Sequence, residues 1–171
     1  MNFRIDAIEI LLNEDCILSR YYPLIPLKHT LLANLRNAGI ETKAQCQTLS
    51  DEALAALGLS DPALIALFRR FLVMYDVNPQ KLREIPKISR NADEQAAFSE
   101  LYLLPGVKET RARLYFDAGY RRLAAFADAN PEQLLRDAAE TIRRQQSDAA
   151  CPLPKEARTH IAVAKVYTFF L

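Results

Sequence analysis

Two histidines, three cysteines and the arginine pairs at 121–122 and 143–144 are the side chains of this 171-residue chain best suited to chemistry. His29 and His160 would serve as metal ligands or proton carriers. Neither has a Cys, Asp or Glu at a spacing that completes a ligand set, and both stand among polar neighbours, as at a helix start or surface. Cys16, Cys46 and Cys151 stand singly, and their odd number is that of reduced thiols in a cytoplasmic setting. No nucleophile motif, phosphate loop or dinucleotide fingerprint occurs. The expectation is a non-enzymatic protein with no catalytic residues, no metal and no other cofactor, and no small-molecule substrate is inferred.

The arginine pairs Arg121-Arg122 and Arg143-Arg144 would form a basic face with Arg111, Arg113 and Arg136. Asp117, Asp128, Asp137 and Glu140 are interleaved with them, which is the pattern of a solvated helix surface. The formal charge is +1, from 22 Lys/Arg and 21 Asp/Glu. A protein that coats nucleic acid carries a clear basic excess, so any such contact here must be local. The first residues lack the apolar run of a signal peptide, and no segment approaches membrane-spanning length, so a cytoplasmic protein with no membrane partner is expected.

The elements that would position these residues are written twice, 80 positions apart: Ala38-Gly39-Ile40 answers Ala118-Gly119-Tyr120. Upstream, Leu24, Lys28 and Thr30 fall on Leu104, Lys108 and Thr110. Downstream, Ala44, Glu52 and Leu54 fall on Ala124, Glu132 and Leu134. Gly39 and Gly119 are each expected to close a helix in the left-handed conformation, with the next apolar residue packing back. Gly58 and Gly106 mark turns. Cys46 takes the slot of Phe126 and reads as a small core residue.

Short helices are expected from Thr42 to Leu49 and after Ser50, and longer ones after Pro62, Pro131 and Pro154. A polar stretch, Gln145-Gln146-Ser147-Asp148, separates the last two. Residues 1–23 read as a helical N-terminal segment, although Phe3-Arg4-Ile5 alternates like a strand. Residues 24–75 form a first unit, 76–103 a connector with one short helix, and 104–171 a second unit. The fold expected is all-α, two tandem lobes related by the internal repeat. Tyr21-Tyr22, beside Pro23, is an expected exposed contact.

Pro105-Gly106-Val107, the helix end at Ala118-Gly119-Tyr120 and the run Ala129-Asn130-Pro131-Glu132-Gln133-Leu134 resemble helix-hairpin-helix domains. The chain is similar to a bacterial family of uncharacterised helix-hairpin-helix-like domains, present as two tandem copies over about 24–75 and 104–170. Members of that family end in a long helix, a polar break and a last helix opened by a Leu/Val-Pro step, as at Leu153-Pro154. The family itself implies no activity. DNA-binding helix-hairpin-helix proteins, however, take a phosphate on the backbone N–H groups of a glycine hairpin and of the helix that follows. Carried over to this sequence, that role falls on Gly106, Val107, Lys108 and Arg111, with Lys108 where a second glycine would sit. The first copy, Ile25-Pro26-Leu27-Lys28, has no glycine and reads as structural. Two roles stay open: weak, sequence-independent contact with a nucleic-acid backbone through the second hairpin, and a protein–protein interaction scaffold.

Overall fold

The computed structural model describes all 171 residues and is all-helical: eleven α-helices, one 3-10 segment and no strand. No helix is long and apolar enough to cross a membrane. The chain divides into two compact units. One comprises Met1–Asp76 and Phe169–Leu171, the other Val77–Thr168.

The first unit opens with α1 (Ala7–Leu11), preceded by an extended residue, Arg4, in an isolated antiparallel bridge to Thr42. The strand-like alternation is real there: Phe3 and Ile5 are buried and Arg4 is exposed. A 3-10 segment, Ser19–Leu27, runs straight into α2 (Lys28–Asn37). Then come α3 (Lys43–Thr48), α4 (Asp51–Ala56) and α5 (Pro62–Val73). Each of the last three starts where a side chain satisfies an orphan N–H. Thr42 and Gln45 form a reciprocal capping box, Ser50 accepts from Ala53 N–H, and Asp61 accepts from Ala63 N–H with Pro62 in the first turn. Leu11, Leu24, Leu35, Cys46, Leu54 and Phe68 form the core. Burial pushes the Cys46 thiol up to about 11, the behaviour of an inert packing residue. Tyr21 is buried against Phe71, and only Tyr22 of the tyrosine pair is exposed, its hydroxyl donating to Glu14 O at 3.2 Å. The expected contact site is thus half structural.

The second unit holds α6 (Pro79–Arg83), α7 (Ala92–Leu101), α8 (Glu109–Asp117), α9 (Leu123–Ala127), α10 (Pro131–Gln145) and α11 (Pro154–Phe169) up to Thr168. Residues 77–103, read from sequence within a connector, carry α6 and α7 and group with this unit. Phe98 and Leu101 are fully buried. The polar break after α10 coincides with Gln146, the one non-glycine residue with positive φ, at 50°. Ser147 N–H closes that helix end on Ile142 O at 3.1 Å.

Gly39 and Gly119 sit at matching helix ends with φ of 71° and 99°. The following N–H reaches back identically in both: Ile40 to Leu35 O and Tyr120 to Tyr115 O, each at 2.9 Å. Nothing lies within 4 Å of a Cβ built at either glycine, so the backbone conformation alone asks for glycine.

Candidate nucleic-acid interface

α7 ends at Leu101, and seven residues separate it from the start of α8 at Glu109. Between them the chain reverses through Gly106, whose φ of 72° is left-handed and whose surroundings are open. Val107 is fully buried and anchors the turn from below, its N–H bonded to Leu104 O at 3.3 Å. Lys108 is extended (φ −123°, ψ −173°), exposed, and caps α8 with no side-chain bond. As a result the N–H groups of Gly106, Lys108, Glu109, Thr110 and Arg111 donate to no protein group. Four of these are the donors any helix start leaves over, and they carry the positive end of the helix dipole.

Three carbonyl groups of the same turn, those of Tyr102, Leu104 and Pro105, are held by side chains. Lys81 Nζ, from α6, donates to Tyr102 O at 2.7 Å and Leu104 O at 2.9 Å. Burial, and then the charge of Lys108, lower the Lys81 ammonium from its ordinary value. His160 Nε2, from α11, donates to Pro105 O at 2.9 Å, and Tyr115 Oη lies 2.8 Å from His160 Nδ1. A carbonyl only accepts, so Nε2 carries the hydrogen and the Tyr115 hydroxyl donates to Nδ1. Burial is the main cause that pushes His160 down to about 4. The Pro105 bond and Glu156 oppose the shift; Arg111 and Lys81 add to it. Beside this turn the Tyr102 hydroxyl is buried without a hydrogen-bond partner, within the electrostatic reach of Glu109 and Arg113.

The four residues expected to act together separate into roles. Gly106 and Lys108 stand at the surface of the turn, and Val107 points into the core. Arg111 turns away. Its Nε is 2.9 Å from Glu156 Oε1, its other nitrogens reach Glu156 Oε2 and Ala150 O, and its side chain is 19% exposed. A paired, part-buried guanidinium adds little field to the turn. Glu109, in the first turn of α8, pairs with Arg113 at 2.9 Å. Two arginines of the wider set are also engaged: Arg122 with Glu100 at 3.0 Å, and Arg121 over the Phe116 ring at 4.8 Å.

The start of α2 has a different geometry. Residues 26–28 are helical, and Lys28 N–H continues the 3-10 pattern by bonding Ile25 O. Lys28 Nζ bends to Glu9 O at 3.4 Å, with its side chain 13% exposed. No reversal and no exposed glycine occur there.

Lys81 and His160 carry no local sequence signal for this turn. Lys81 lies outside the repeated stretch. His160, read from its neighbours as a surface residue, is 2% exposed because α11 buries Ala157 and every residue from His160 to Ala164. No three of the His, Cys, Asp and Glu side chains converge as metal ligands. An open cleft of about 340 Å³ in the first unit is lined by Arg4, Asp6, Arg36, Glu41 and Thr42, but both arginines are already paired with Asp6. No protein family, curated protein or solved structure matches this chain.

Proposed function

We propose that this protein is a non-enzymatic binding module of two tandem helix-hairpin-helix-like units, whose second hairpin makes weak, sequence-independent contact with a nucleic-acid backbone. The observation that carries this reading is the set of unbonded N–H groups at Gly106 and residues 108–111, beside the free ammonium of Lys108. A phosphate oxygen accepts such donors, is favoured by the dipole of α8, and can come close because Gly106 has no side chain. Backbone donors recognise phosphate and read no base edge, so the contact is blind to sequence.

The contact is also small. Arg111 is neutralised by Glu156, the Glu109 carboxylate stands at the same helix start, and the whole chain carries a formal charge of +1. For one or two phosphates, the slope of log affinity against log salt should be about −1 to −2. Fluorescence anisotropy with a labelled duplex at low salt tests this. Lys108→Glu should abolish binding with the circular dichroism spectrum unchanged, and Lys28→Glu should leave binding intact. No binding by the unmodified protein at high micromolar concentration would remove the nucleic-acid reading and leave a protein–protein scaffold.

A further inference from the structure

We infer that His160, oriented by Tyr115, is a positioning residue that turns the Gly106 N–H outward to meet the phosphate; the inference rests on the hairpin reading above. The Pro105–Gly106 peptide is trans, as are all others in the chain. In a trans peptide the C=O of one residue and the N–H of the next point in opposite directions. His160 is 2% exposed and holds the Pro105 C=O at 2.9 Å from the interior side. The Gly106 N–H is therefore directed away from the core, and Gly106 is exposed.

The same grip removes an obstacle. Carbonyl oxygens repel a phosphate, and a free turn could present either face of its peptides. His160 ties Pro105 O inward, and Lys81 ties Tyr102 O and Leu104 O, so the three carbonyls that precede Gly106 at these positions are held against the protein. The donating face is left for the ligand. Only one state of the imidazole does this. The neutral ring with hydrogen on Nε2 donates to Pro105 and accepts from the Tyr115 hydroxyl at 2.8 Å. The other neutral tautomer would set a lone pair against the Pro105 carbonyl.

The test is amide NMR of the full chain, titrated at low salt with a short duplex of random sequence. In the unmodified protein the Gly106 amide should move downfield together with those of Lys108, Glu109 and Thr110. His160→Leu should lose the Gly106 response and weaken binding roughly tenfold, the loss of one bond to a charged acceptor. His160→Gln, whose amide nitrogen can reach Pro105 O, should recover both. Responses in His160→Leu equal to those of the unmodified protein would overturn the inference and leave the hairpin reading standing. No response at any hairpin amide of the unmodified protein would overturn the hairpin reading, and this inference with it. If His160→Leu does not fold, the ring nitrogen spectrum of the unmodified protein decides. Hydrogen on Nε2 and an accepting Nδ1 support the inference; hydrogen on Nδ1 refutes it.

Discussion

The start of α2 and the start of α8 fall within one residue of each other in the 80-position sequence register, and they present opposite surfaces. At α8 the chain breaks, reverses at Gly106 and leaves a set of N–H groups bare. At α2 the helix grows out of a 3-10 segment, and Lys28 N–H is already bonded. The other ends of the same two helices are alike in their left-handed glycines and in the 2.9 Å bonds that close them. Two helices can close alike at their packed ends and differ at their exposed ends, because a helix terminus in solvent constrains little else. One glycine and one extended lysine separate a helix start with bare N–H groups from one whose first N–H is already bonded.

The largest effect should come from replacing the buried residues that the two helices place in register, Leu35 and Tyr115, both fully buried. Tyr115→Ala should cost about 3–5 kcal/mol and Leu35→Ala about 2–5 kcal/mol in urea unfolding. Only the first should also disturb the hairpin amides, through His160. A disturbed hairpin in Leu35→Ala would break the independence of the two sites.

Acid should act next, and through the second unit. Burial keeps His160 neutral down to about pH 4, whereas an unfolded histidine titrates near 6.5. The folded value is the lower one, so the unfolded chain binds more protons between those limits. The stabilisation is complete above about pH 6.5 and is lost as pH falls toward 4, to the extent of about 3 kcal/mol. Urea midpoints of the unmodified protein and of His160→Gln, compared at pH 7 and pH 4.5, measure it. An equal drop in both would show that His160 is not the group responsible.

Gly39→Ala and Gly119→Ala should each cost about 1 kcal/mol, since a Cβ meets no neighbour at either and only the left-handed backbone resists it. A clearly unequal pair of costs would end the equivalence of the two helix ends. The smallest effect belongs to Glu109→Gln. The exposed pair with Arg113 contributes at most about 0.5 kcal/mol, so stability should hardly change. Phosphate affinity should nevertheless rise a few-fold as the carboxylate leaves the first turn of α8.

The helix starts at Thr42, Ser50, Pro62 and Pro131, the glycine ends, and the all-helical class were legible from residues alone. Each depends on groups within four or five positions of one another: a cap and the N–H it accepts, a glycine and the φ it permits. The burial of Cys46 and Phe126 was legible from their matching places in the 80-position sequence register. The fate of the ionisable side chains did not. Arg111 reads as a free cation until Glu156, 45 positions away, is brought against it. His160 reads as a surface residue until the turn at Pro105, 55 positions back, folds over it. Lys81 stands outside the repeat and finds its two carbonyls 21 and 23 positions on. Local conformation follows from short-range sterics and hydrogen bonds that a sequence displays directly. Whether a charge is free, paired or buried depends on which distant segment closes over it, and only the folded chain settles that.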